Sequence, residues 1–209
     1  DDINIALFIS KNKKTAYQYA KATEHFSNIF HHTYDLTIDD EQNKFKQRKL
    51  RFNQITAIIS SMLPDKIFTG SDRRMEFQFA MHQARKFNTQ VEGIYIDDGT
   101  VSYLGHKSID NVFHQYIDPL LKKLIYGAWW KNALTTGSSD WISKAYLAVP
   151  QDAHPLLKNK RLIALDQRVF SSKIFLQVNQ FLIEEYDELN SIDFSKVSAV
   201  ICLPNESFY

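Results

Sequence analysis

The sequence predicts an α/β fold in which a parallel sheet is flanked by helices, and three observations carry that expectation. Short apolar or β-branched runs, "INIALFIS" (3–10), "KIFTG" (66–70) and "QVEGIYI" (90–96), read as buried strands. Apolar residues between them recur at helical spacing. Each run ends on small or polar residues. Strand–helix–strand–helix–strand is the order of a parallel sheet covered by helices, whose crossovers are right-handed.

The elements follow in order. After the first strand, Ala16, Tyr19, Ala20, Thr23 and Phe26 mark a helix, and residues 28–47 read as polar and irregular. Phe52, Ile55, Ile59 and Met62 mark a second helix that ends before Pro64. The second strand leads into "SDRRMEFQFAMHQARKF", with Phe77, Ala80, Met81 and Ala84 on one face and Ser71 or Asp72 placed to cap it. Beyond the third strand, Ile109, Val112, Phe113, Tyr116, Ile117, Leu120, Leu121 and Leu124 trace a long helix that Pro119 should kink or restart. "GAWWKNALTTGSSDW" reads as an aromatic-rich connection. "KAYLAVP", "RLIAL" and "SAVICLP" are further strands, with a helix near 170–186. The chain stops just after a strand, so a further domain is expected beyond it.

Composition narrows the function classes. The 209 residues, 44% apolar, suffice for one large domain or one and a half without a stapling disulfide or metal. With 25 basic against 24 acidic side chains and a net charge of +1, there is no electrostatic footprint for nucleic acid. The single cysteine, Cys202, excludes an intrachain disulfide and a cysteine-built zinc site. No run approaches the ~18 apolar residues of a membrane span, and the start lacks the basic region of a signal peptide. A cytoplasmic protein is the expectation.

The candidate chemistry sits at strand ends. Asp97-Asp98-Gly99 follows the third strand. Asp-Gly between alternating runs (Ile94, Ile96, then Val101, Tyr103) is a strong hairpin signal. Two adjacent carboxylates there would also repel, raising one toward the range of a general base. A divalent metal is the weaker third reading, since the acids nearest in sequence are Glu92 and Asp110. In "TGSDRRMEFQ", Gly70 and Ser71 precede a helix start and Arg73 and Arg74 add charge, a setting for an anion or for a plain capped helix. Ser10, Gly70-Ser71-Asp72 and Asp97-Asp98 all fall at carboxyl ends of predicted strands, where the active loops of such sheets gather. His154, fixed in an extended backbone by Pro155, could donate to a phosphate oxygen. Trp129, Trp130 and Trp141 suit either the core or a sugar ring.

A buried strand, then Asp-Asp-Gly-Thr and Ser-Tyr, resembles the D/E-D/E-G motif of bacterial sialyltransferases. The context "FTGSDRRMEFQFAMHQ…GIYIDDGTVSYLG" is similar to the N-terminal half of the lipooligosaccharide sialyltransferase and capsular polysialyltransferase groups, over roughly residues 3–150. The resemblance implies a GT-B architecture. Residues 1–195 would form its Rossmann-like acceptor-binding domain, and 196–209 the first strand of a truncated or missing second domain. It implies inverting, metal-independent transfer of sialic acid from CMP-sialic acid to a glycan hydroxyl in surface polysaccharide or lipooligosaccharide synthesis. The base would be Asp97 or Asp98, with Gly99, Ser10, Gly70, Ser71, Arg73 and His154 around the substrates. No cofactor is implied beyond the donor substrate, and the partners are a glycan acceptor and a nucleotide sugar. Lipid-linked acceptors would suit a peripheral contact with the inner face of a membrane, although no basic amphipathic helix announces one. His154-Pro155 matches the family's second motif in letters but lies ahead of the last strand. "RVFSSK" (168–173) has the letters of its serine motif in another neighbourhood. A non-catalytic binding or assembly module on the same fold, and a metal-dependent hydrolase built on the paired aspartates, are the other classes.

Overall fold

A computed structural model of the chain describes residues 3–9, 20–23, 30–37, 44–105 and 117–184. The chain divides into two compact units, 40–167 and the two flanking segments 1–39 and 168–209. The fold is α/β, with parallel sheets flanked by helices. No helix among the described residues is long and apolar enough to cross a membrane.

In the flanking unit, β1 (Ile5–Phe8) pairs in parallel with β2 (His32–Asp35), and residues 20–23 between them are helical. Strand β2 falls where the sequence reads as irregular. "HTYD" has no apolar alternation, and it becomes a strand only because β1 offers it an edge. The helix predicted near 170–186 is α5 (Lys173–Glu184).

The larger unit holds α1 (Lys44–Met62), β3 (Lys66–Thr69), α2 (Met75–Phe87), β4 (Glu92–Ile96), α3 (Val101–Leu104), α4 (Asp118–Tyr126), β5 (Ile142–Leu147) and β6 (Arg161–Ala164). Its sheet runs β3-β4-β5-β6, all parallel. Spatial order equals chain order. The central β4 buries Gly93, Ile94 and Tyr95 in succession, as a strand covered on both faces should. Edge strands β3 and β6 keep exposed positions, which suits their charged ends Lys66 and Arg161.

Helical periodicity located the core correctly. Ile55 and Ile59 of α1 are buried, as are Phe77, Ala80, Met81 and Ala84 of α2. The two helices meet where Phe52 stacks on Phe79 with ring centroids 4.1 Å apart, and Arg51 pairs with Glu76. Trp129 sets its edge against both rings, while Trp130 and Trp141 are buried. Trp130 and Trp141 are therefore core residues, and Trp129 is half-buried. Helix α1 ends with Leu63 at φ 47°, a left-handed exit, just before Pro64. Pro119 stands in the first turn of α4, and the residues before Ile117 that the long helix would include lie outside the described residues. The predicted helix residues Ile109–Tyr116 and the strand "SAVICLP" lie outside the described residues.

Gly93 shows why β4 and β5 can pair so closely. A Cβ there would lie 2.1 Å from the Trp141 carbonyl oxygen and 3.2 Å from Met81 Cε, at the point where the β4–β5 register shifts. Only a residue without a side chain fits.

Candidate functional site

Asp97 and Asp98 follow β4, and the hairpin predicted from the local pattern does not form. Both edges of β4 are already taken, by β3 and β5, so no edge remains for a returning strand. The chain instead folds into the helical turn α3.

Asp97 builds that turn. Its Oδ1 accepts from Ser102 Oγ at 2.9 Å and from the Gly99 N–H at 3.3 Å. Its Oδ2 accepts from the Ala148 N–H at 3.1 Å and from the Tyr103 hydroxyl. Its own N–H donates to the Tyr146 carbonyl at 2.9 Å. The carboxylate thus ties the end of β4 to α3 and to the exit of β5. Both oxygens are saturated.

Asp98 is different. Its Oδ1 accepts from the Tyr95 hydroxyl at 2.9 Å, and its Oδ2 makes no hydrogen bond among the described residues. The residue is exposed as a whole, while Tyr95 beneath it is fully buried. The carboxyl is held above its ordinary pKa, chiefly by the desolvation of its shielded side and further by the charges of Asp97 and Asp72; the Tyr95 hydrogen bond opposes this. The Tyr95 phenol is itself pushed well up by burial and by Asp98, so it stays a proton donor in the hydrogen bond. Of the two aspartates, Asp98 has the free oxygen.

Around Asp98 the structure gathers part of the predicted set. Gly70, at the end of β3, lies directly beside it: a Cβ on Gly70 would stand 3.4 Å from Asp98 Cβ and 3.7 Å from Oδ2. Nothing lies within 4 Å of the position a Gly99 Cβ would take. The Ser71 N–H donates to Thr69 Oγ1 at 3.0 Å. Arg73 is exposed and has no polar partner among the described residues. His154 opens a short 3-10 turn (Pro155–Leu157) after β5. Its N–H donates to the Ser102 carbonyl at 2.9 Å, which fastens this loop to the Asp97 turn. Its Nδ1 accepts the Leu156 N–H at 3.2 Å, leaving Nε2 as the outward donor. Ser10 lies outside the described residues.

Asp72 corrects the capping expectation. Helix α2 is entered from Arg74 without any side-chain cap, and Asp72 turns inward. It is 0% exposed, and its oxygens accept the N–H groups of Gly137 at 2.8 Å and Ser139 at 2.7 Å. Lys160 Nζ donates to the Ser139 carbonyl at 2.9 Å, and burial lowers the pKa of this ammonium while Asp140 and Asp72 oppose the shift. The pinned loop lies on Tyr95. Gly137, at φ 85°, approaches so closely that a Cβ would sit 2.7 Å from Tyr95 Cδ1. Thr135 Oγ1 closes the arrangement by donating to the Val101 carbonyl at 2.5 Å. A continuous set of contacts therefore runs from Asp72 through Gly137 and Tyr95 to Asp98.

Sequence reasoning missed Tyr95, Ser102, Tyr103 and the inward role of Asp72. The available signal was the glycine in "TTGSSD", which marks a close backbone approach but not what it approaches. Glu92, an acid weighed for a metal site, begins β4 and pairs with Lys144 at 2.6 Å, four residues before the strand's carboxyl end. Asp110 lies outside the described residues. No protein-family model matches the chain, and a search of curated proteins gives no significant match.

Proposed function

We propose that this chain is the acceptor-binding half of a GT-B glycosyltransferase of the sialyltransferase type, with Asp98 as its general base. The reaction would be an inverting transfer of sialic acid from CMP-sialic acid to a glycan hydroxyl, without a metal. The observation that carries the reading is the division of labour at the end of β4. Asp97 is consumed by four donors, while Asp98 keeps Oδ2 free at the rim of a parallel sheet.

An acceptor hydroxyl would donate to Asp98 Oδ2 and lose its proton there as its oxygen bonds to the anomeric carbon of the donor. The bond from that carbon to the CMP phosphate oxygen breaks, and the electron pair leaves with CMP. A raised carboxyl pKa makes Asp98 a better proton acceptor than an ordinary aspartate. Tyr95 fixes the direction in which the carboxylate points. His154, fastened to the same turn, presents Nε2–H as a donor for a phosphate oxygen.

The first test is binding. In a nitrogen-15-labelled sample, adding a galactose-terminated oligosaccharide should move the amide signals of Gly70, Asp98 and Gly99 and leave those of β6 in place. Saturating glycan with no movement at the three positions would contradict an acceptor site there. Movement without transfer activity in the longest available form of the protein would favour the binding-module reading.

A further inference from the structure

The 135–139 loop is braced from inside and from behind. Ser138 Oγ donates to the Thr135 carbonyl at 2.7 Å and accepts the Thr135 N–H at 3.1 Å, which closes the loop on itself. Asp72 accepts the Gly137 and Ser139 N–H groups, and Gln78 holds Asp72 in turn. Gln78 is fully buried. Its amide donates to the carbonyls of Asp72 and Lys131, both at 2.9 Å, and its oxygen accepts the Lys131 N–H at 2.7 Å. A buried carboxylate stripped of such bonds is left unsatisfied, so the loop cannot draw back without a large loss.

Tyr95 is fixed on the other side. Its backbone lies in β4, registered against Thr69 of β3 and Ala145 of β5, so only the ring can yield. Gly137 covers one edge of that ring: a Cβ at 137 would stand 2.7 Å from Cδ1, 3.1 Å from Cγ and 3.2 Å from Cε1. The hydroxyl sits at the far end of the same ring, where any tilt becomes its largest displacement. There it makes the 2.9 Å bond to Asp98 Oδ1. Hydrogen bonds weaken steeply as they lose alignment.

We infer that Gly137, clamped by Asp72, is a positioning residue for Asp98: the bare backbone at 137 seats the Tyr95 ring, and the ring sets the direction of the carboxylate. The inference rests on the reading of Asp98 as the general base of the proposed transfer. It assigns no chemistry to the loop itself. A glycine needed only for its turn would require nothing beyond the left-handed φ of 85°. Here the space a Cβ would take is filled by the ring that orients the base. The titratable groups acting on Asp98 are Tyr95, Asp97 and Asp72. Gly137 carries no charge, so replacing it with alanine reaches the carboxyl only through geometry.

The test is Gly137→Ala, read by carbon-13 titration of the Asp98 carboxyl in the whole chain. A tilted ring weakens the tyrosine bond, so the midpoint should rise toward that of Tyr95→Phe. Combined with Tyr95→Phe, the alanine should raise it no further, because the bond that the glycine protects is already gone. Gly127→Ala is the control. Gly127 also has a positive φ, 105°, but the ring beside it is Trp129, so its variant should lose stability and leave the midpoint in place. Should Gly137→Ala fail to fold, Asp72→Asn loosens the clamp by one acceptor. Tyr95 ring flips, followed by NMR, should then speed up while those of Tyr146 do not. A folded Gly137→Ala with an unmoved or lowered midpoint would overturn the inference. So would an equal further rise in the double variant, or Tyr95 flips untouched by Asp72→Asn. A raised midpoint in a protein that transfers no sialic acid would count against the proposed reaction and still support the positioning of the carboxylate.

Discussion

Asp98→Asn should lower the transfer rate by ~10²–10⁴-fold, the range of a lost general base, while acceptor affinity changes little. The amide keeps an oxygen for the Tyr95 hydroxyl to donate to, so the turn should survive. Stability should not fall at neutral pH. A carboxyl whose folded pKa is raised binds its proton more tightly in the native state. Its stabilising contribution is therefore present below the unfolded value and lost as pH rises through the folded one. Once Asp98 is ionised its charge opposes folding, and the neutral amide removes that charge. Asp97→Ala should behave in the opposite way. It strips the partner from the Ser102 and Tyr103 hydroxyls and from the Ala148 and Gly99 N–H groups, at a cost of ~2–3 kcal/mol. Urea melts beside steady-state rates on the two variants would separate the roles. A larger rate loss for a still-folded Asp97→Asn than for Asp98→Asn would reverse the assignment.

Asp72→Ala should strongly destabilise the larger unit. Two hydrogen bonds from backbone N–H groups to a buried carboxylate disappear, and the donors at Gly137 and Ser139 are left without a partner inside the protein. At ~1.5–3 kcal/mol for each bond to a charged group, the loss is ~3–6 kcal/mol. For a chain of this length that lowers the melting temperature by ~10 °C, readable by calorimetry. Asp72→Asn keeps one acceptor and should lose about half as much. A fall of under ~1 kcal/mol for the alanine variant would show that the 135–139 loop is held in place by something other than Asp72.

Much of this fold is legible in the sequence because its signals are local. Ile55 and Ile59, then Phe77, Ala80, Met81 and Ala84, lie on helical stripes and are buried where the spacing places them. Continuous apolar runs gave β3 and β4, and their parallel pairing follows from the helix between them. The exceptions are all non-local. "HTYD" is a strand only beside β1. Asp97-Asp98-Gly99 reads as a hairpin until β5, about fifty residues on, takes the edge of β4 that the hairpin would need. Asp72 sits where a cap belongs, but its partners are 65 and 67 residues away. The pair of aspartates was visible from the start. Their division of labour was not, because it depends on Tyr95 beneath one and on Ser102, Tyr103 and Ala148 around the other.

The central claim is that Asp98 is an available carboxylate poised by Tyr95. The most direct measurement is a carbon-13 titration of the Asp98 carboxyl in the native chain and in Tyr95→Phe. The native midpoint should lie above the ~4 of an unperturbed aspartate, because the shielding of the carboxyl and its two acidic neighbours outweigh the single tyrosine bond. Removing that bond while keeping the ring should move the midpoint higher still, and the acid limb of any pH–rate profile should move up with it. A native midpoint at or below ~4, or one that stays put or falls in Tyr95→Phe, would contradict the account.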